Sequence, residues 1–331
     1  MDSKTKSISA FLLRDYSIIL AIIIVSLAFT AINPRFARLY NILNVLQHAS
    51  LLTILAIGLT LVVILDEFDL SFAALSSSAV CLSIMIVQKN VPGFLAVVTA
   101  LAVGLLVGII NGILVAKLNL QSFIATLGTA TILTGVNYAV SEGKTIVVVG
   151  GLPSWFTFLG QEDFFKISYL IPIMLLVVIV VSILVKYTEL GRNMYGVGGN
   201  KEACRVAGVN VRATQITAFA LCGFLASFAG LLLASRLGGG HPLAGDKYLL
   251  QGFAAVFIGM TMRGGMPSII GTFLGCILLS AIESGLTLVS VDYTYQYVVN
   301  GFIIVLFVTI AYVTRNRLLD RSRASVLSLS E

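Results

Sequence analysis

Charge is what this sequence has least of. Only 11% of its 331 residues are Asp, Glu, Lys or Arg, against about a quarter in a soluble globular chain. So little polar surface excludes a chain that covers its core in water. Regular alternation of apolar and polar residues is also missing, which excludes a transmembrane barrel. Cysteine is sparse and scattered. Cys81, Cys222 and Cys276 fall in apolar stretches and Cys204 in a polar one, so neither a disulfide framework nor a metal set is visible. No Gly-x-x-x-x-Gly-Lys-Ser/Thr loop occurs, and Gly198-Gly199-Asn200-Lys201 has neither the spacing nor the hydroxyl to cradle phosphates. No Ser-His-Asp set or pair of catalytic acids has workable spacing, which argues against an enzyme. A net charge of +6 does not argue for nucleic acid, because loop lysines and arginines orient a membrane chain.

Long apolar runs are abundant. A bilayer core about 30 Å thick takes roughly 20 helical residues to cross. Ser17–Pro34, Leu39–Leu65, Leu70–Gln88, Asn90–Ala116, Leu118–Ser141, Ile167–Val185, Ala213–Ser235, Gly264–Ile282 and Tyr293–Thr314 carry no charge, and the shorter Tyr248–Met262 is a tenth candidate. No small-residue cleavage site follows the first run, so it reads as a retained span and not a signal peptide. The expectation is an all-α, polytopic transmembrane helical bundle of about 10 spans, forming one domain over residues 1–331. With the N-terminus inside, Arg35, Arg38, Lys89, Lys144, Lys166, Arg236 and Lys247 lie outside, and the other fourteen of the 21 Lys and Arg lie inside. That bias puts both termini in the cytoplasm, including Lys4, Lys6, Arg14, Arg315, Arg317, Arg321 and Arg323. Residues 142–166 then form a long outer loop, where Trp155 would sit at the interface. Residues 186–212 form a longer, more charged inner loop.

The inner loop contains YGVGGNKEACRVAGVNV at Tyr195–Val211. Gly196, Gly198 and Gly199 would allow a tight turn, and Asn200 would cap a short helix over 201–207. Glu202 adds charge favourable to its first turn, and Gly208 would end it. A short helix shown this way suits docking in a groove of a soluble partner; an ordinary surface loop is the plainer reading.

Glu202-Ala203-Cys204-Arg205-Val206-Ala207-Gly208 resembles the Glu-Ala-Ala loop of ABC-importer permeases, with Cys204 in place of the second Ala. The wider string is similar to the ribose-type sugar permease family. The likeness runs collinearly through Asn33-Pro34 with Phe36, Asn111-Gly112, 122–129, Gly230, 242–245 and 271–275. This resemblance implies a type II importer fold and a permease subunit of an ATP-driven importer for a sugar or related small polar solute. Gly198, Gly199, Asn200, Glu202, Ala203, Arg205 and Gly208 would couple it to an ABC ATP-binding protein. That partner would hold ATP and Mg, and this chain would bind no cofactor. A second permease subunit, identical or a sister chain, and an extracytoplasmic substrate-binding protein would complete the complex in a bacterial-type inner membrane.

Asp66-Glu67-Phe68-Asp69-Leu70-Ser71 stands where the resembled family usually reads Gly-Gly-Ile-Asp-Leu-Ser. Three ionised acids in a lipid-facing helix would cost roughly 8–10 kcal/mol, so the segment is expected in a cytoplasmic turn, at the interface or in a broken-helix cavity. Asp69, Ser71, Asn111 and Thr126 are candidates for the pathway or its gate. Thr129, Asn137, Gln296 and Asn300 are further polar residues in apolar spans, where interhelical bonding is the ordinary role. His48 reads as a packed or interfacial side chain. Glu283-Ser284 replaces a usual Asn, and such departures point to a divergent member pairing with a non-identical sister. A rival reading is a proton-coupled secondary transporter using Asp66, Glu67, Asp69 and Glu283. The scaffold also admits a nucleoside or a branched-chain amino acid as cargo.

Overall fold

A computed structural model of the chain describes residues 17–309, apart from 90, 149, 264, 293, 297, 300, 304, 307 and 308. The basic residues expected at both termini, and Asn300, therefore lie outside the described residues. Helix α1 (Ser17–Ile32) leads through a 3-10 turn at Pro34–Ala37 into α2 (Leu39–Val63), α3 (Ser71–Gln88), α4 (Gly93–Ala116) and α5 (Ser122–Ser141). A short α6 (Ser154–Gln161) precedes the paired strands β1 (Asp163–Phe164) and β2 (Ile167–Ser168). Then come α7 (Leu170–Tyr187), α8 (Glu189–Gly199), α9 (Lys201–Val206), α10 (Val211–Leu237), α11 (Lys247–Met260) and α12 (Ile269–Leu288). Among the described residues seven helices are long and apolar enough to cross a membrane, and α1 and α11 are shorter apolar helices.

The chain groups into two compact units. In the unit formed by Ser50–Gly252, α3 and α10 are mostly buried, whereas α4, α5 and α7 leave most of their residues unburied. Leu106 and Ile110 on α4, and Leu176 and Ile179 on α7, are exposed, as suits helices facing lipid. Lipid is as apolar as leucine, so helices there hold together by close backbone approach at small residues. The α4–α10 seam is built that way. A methyl at Gly104 would overlap Ser227, one at Gly108 would overlap the Phe219 carbonyl, and one at Gly223 would overlap the Gly104 carbonyl. Inside α3, the hydroxyls of Ser76, Ser78 and Ser83 donate to carbonyls of their own helix at 2.7, 3.1 and 3.0 Å. Buried polar groups thereby cost little.

At one end of this unit lies the segment expected as an outer loop. It is more ordered than the sequence suggests. Ile146 and Gly240 exchange backbone hydrogen bonds of 2.7 and 2.9 Å, and α6 brings Trp155 against Gly93. The β1–β2 turn places Phe165 and Lys166 at φ 49° and 68°. Two positive φ values suit a tight hairpin, which usually announces itself with Asn-Gly or Asp-Gly. Phe-Lys gives no such signal.

The other unit comprises Met1–Ala49 and Phe253–Glu331. In its described part α1 packs on α12, and Phe36, Val45 and Ala281 form a small core that Phe29 and Leu288 cover. The Asn33 side chain accepts from Arg35 N at 3.1 Å and donates to the Leu288 carbonyl at 3.0 Å. The Asn41 amide donates to the Phe36 carbonyl at 3.0 Å and accepts from Ser284 at 2.9 Å. Helix α12 differs from the expected span 264–282. It begins later, capped by Ser268, and runs past Glu283 to Leu288. A charge-free run ends wherever a charge occurs, but a helix need not.

Candidate functional site

Residues 186–212 fold as two helices and their caps, not as a loop. Thr188 caps α8 by accepting from Gly191 N at 3.4 Å. Gly196, Gly198 and Gly199 lie in the last turns of α8 and not in the tight turn expected of them. At Gly198 small size serves packing instead: a methyl there would overlap the Ile64 carbonyl. Asn200 alone breaks the helix, and its side chain accepts from Ala203 N at 2.9 Å to cap α9. Gly208, at φ 84°, closes α9. Its N–H reaches the Arg205 carbonyl at 3.1 Å and that of Val209 reaches the Cys204 carbonyl at 3.0 Å. This double bond pattern is the usual left-handed helix stop. Asn210 then caps α10 by accepting from Ala213 N at 3.0 Å.

None of the six residues of α9 is buried. Val206 is 89% exposed, a poor use of an apolar side chain unless something covers it. Arg205 forks onto both oxygens of Glu202 at 2.9 and 3.0 Å, which stiffens the helix. Beside it lies a cavity of about 520 Å³ whose walls include Glu189, Asn193, Gly208, Asn210 and Thr217. The arrangement is a rigid, capped, outward-facing helix with an adjacent depression.

This helix is tied to the interior of its unit. Lys201 Nζ donates to Glu67 Oε1 at 2.6 Å, and Gln215 Nε2 donates to the same oxygen at 3.0 Å. The Glu67 side chain is only 11% exposed. The two positions where the resembled family carries glycines thus have separate roles. Asp66 sits at φ 60°, a left-handed conformation that glycine adopts freely and Asp tolerates better than most residues. Glu67 adds an acid–amine link between the α2–α3 break and α9.

Beyond the break, the four candidate pathway residues meet in one buried network. Asp69 accepts from Ser71 N at 2.8 Å and Ser71 Oγ at 2.6 Å, and the Cys222 thiol also donates to it. Asn111 donates to Ser71 Oγ at 2.9 Å and accepts from Thr129 at 2.7 Å. Thr126 and Ser122 accept from the N–H groups of Leu70 and Phe68 at 3.0 and 3.1 Å. Side chains of α5 therefore satisfy backbone that no helix satisfies, which is what non-helical backbone at membrane depth requires. Asp69, Ser71, Asn111 and Thr126 are all buried. Asn137 is elsewhere, donating to Ala74 and Pro242 carbonyls at 3.2 and 3.4 Å. Gln296, in the other unit, donates to Thr287 and Val291. Lys201 and Gln215 were not singled out from the sequence, because neither lies near Glu67 along the chain.

A permease family described as "Branched-chain amino acid transport system / permease component" matches residues 41–308. The chain belongs to this family. Among curated relatives it is 34% identical over 303 residues to the ribose import permease protein RbsC of Haemophilus influenzae, covering 91% of this chain and 94% of that protein. It is 34% identical over 306 residues to RbsC of Escherichia coli K12, with the same coverage. It is 30% identical over 327 residues to the galactose/methyl galactoside import permease protein MglC of Haemophilus influenzae, covering 94% and 97%. No solved structure matches the chain. As a permease-family member it is a transport component of a membrane and not an enzyme. The family's description names branched-chain amino acids, and these relatives name sugars.

Proposed function

We propose that this chain is the translocating subunit of a binding-protein-dependent, ATP-driven importer for a sugar. The observation that carries the proposal is likeness to ribose import permeases across nine-tenths of the chain. The importer is of type II, with ten spans and both termini in the cytoplasm. ATP and Mg bind a separate ATPase, in keeping with the missing phosphate loop. Exposed α9, with Val206 and the Glu202–Arg205 fork, is the surface that the ATPase holds through Asn200, Ala203 and the Gly208 stop. An extracytoplasmic binding protein delivers solute to the opposite side, and a second permease, a non-identical sister, completes the path.

Movement of α9 reaches the interior through two contacts in the structure. One is the Lys201–Glu67–Gln215 link, and the other is the seat of Gly198 on Ile64. Both bear on the break at 64–70, whose far side is the Asp69–Ser71–Asn111 network. The network is a two-sided hinge support: a shift of the break must exchange the hydrogen bonds of Phe68 and Leu70. A proton relay is less well supported, since Glu67 is engaged by Lys201 and Asp69 by Ser71 and Cys222. Branched-chain amino acids are the second cargo reading, favoured by the family's description.

Reconstitution in proteoliposomes with the partner ATPase and binding protein tests the proposal. Sugar uptake is expected to require ATP inside or outside on the ATPase side and to survive an uncoupler. Uptake without any ATPase, or collapse on uncoupling alone, would overturn it.

A further inference from the structure

The described part of the unit that holds α1 and α12 contains a cavity of about 250 Å³, between the first half of α2 and the last half of α12. Asn41, Asn44 and His48 line it from one face of α2, and Ser280, Glu283, Ser284 and Thr287 from one face of α12, with Leu288 at its end. In a chain this apolar, such a composition is not filler. Both helices are otherwise built of residues suited to lipid or close packing. At 1.5 Å per residue, Asn41 lies about 3 Å and His48 about 13 Å inside the start of α2. Glu283 lies about 7–8 Å inside the end of α12. The cavity therefore follows both helices inward from their ends and is partly open, with His48 and Thr287 exposed. An ionisable group at such a depth costs free energy, which marks it as functional by default. Here two, His48 and Glu283, line one cavity from facing helices.

The walls are fixed. Ser284 is bonded to Asn41, and Asn33 to the Leu288 carbonyl. Gly285 is packed so closely on Phe29 that a methyl there would overlap the ring. The amides, hydroxyls and carboxylate are thus presented at set positions and not on mobile loops. Amides and a carboxylate together offer donors and acceptors in several directions, the pattern that a ring of neighbouring hydroxyls satisfies. A branched aliphatic side chain offers them no hydrogen bond.

We infer that this α2–α12 cavity is a transit site at which a small polyhydroxylated solute pauses on its way through the permease. Glu283 and Asn44 are its main hydrogen-bonding groups. The inference rests on the transport reading above, and it assigns discrimination between solutes partly to this chain. In the ten-span orientation the cavity faces the side from which the binding protein delivers.

The experiment uses the full chain in its reconstituted complex. Leu288→Cys places a thiol at the rim without removing a polar group, and its reaction with a small methanethiosulfonate is followed by mass, with the wild-type chain as blank. D-ribose and D-galactose are the probes and L-leucine the comparison. The expected result is a several-fold slower modification with one or both sugars and none with leucine. Adding Glu283→Gln should weaken that protection about tenfold, the loss of a hydrogen bond to a charged group. It should also lower sugar uptake while leaving ATPase stimulation by the loaded binding protein within about twofold. Equal modification rates with and without sugar, or protection by leucine alone, would overturn the site. Protection by sugar together with uptake that ignores ATP would leave the site standing and remove the ATP-driven reading instead.

Discussion

At Asp66 and Glu67 two side chains stand where the resembled family carries glycine, and the structure separates their effects. Asp66→Gly is expected to fold and transport at least as well as wild type, because φ 60° suits glycine better than aspartate. A marked loss of thermal stability in that variant would count against the left-handed assignment. Glu67 is different. Losing Lys201 leaves the nearly buried Glu67 carboxylate held by Gln215 alone, at a cost of about 1–3 kcal/mol. Glu67→Lys and Lys201→Glu should each depress uptake at least tenfold while the chain still inserts. The double reversal should recover most of the uptake, which is the signature of a direct pair. Failure to recover, with the complex intact, would reduce the pair to an incidental surface contact.

Helix α9 concentrates its structural requirements in two caps. Gly208→Val puts a β-branched residue at φ 84°, where strain is roughly 1–3 kcal/mol, more than a helix of six residues can absorb. Uptake and ATPase assembly should both fail while membrane insertion persists; Glu202→Lys should do the same by losing the fork to Arg205. Unchanged uptake in both variants would remove the docking role. Seven of the expected spans were readable among the described residues, because hydropathy and length are properties of contiguous residues. Helix ends and turns were less so. Gly196, Gly198 and Gly199 suggested a turn, but all three lie in α8, where Gly198 must touch the Ile64 carbonyl. The hairpin at Phe165-Lys166 carries no turn residue, and α6 is too short to outweigh its polar surroundings. Glu283 ended a charge-free run and so hid the last turns of α12. The link from Glu67 to Lys201 joins residues 134 apart, a pairing that no local pattern encodes. The Asp69 network was partly legible: its four members were picked for polarity within apolar spans, but their meeting at one break was not foreseeable from spacing.

For the whole molecule, the buried interior and the outward apolar faces describe a chain made for lipid. Purified under mild conditions, its complex should contain an ATPase, this chain and a sister permease. Two copies of this chain with no sister would refute the asymmetric pair. The Glu67 link also has a consequence in time. At roughly 5–20 residues per second of synthesis, the 134 residues between Glu67 and Lys201 take roughly 7–27 s to appear. Throughout that interval the nascent α2–α3 break displays Glu67, whose amine has not yet been made. The growing chain must therefore keep this segment at the wet surface of the bilayer and draw it in late, so the unit around α3 finishes folding only after α10 has emerged.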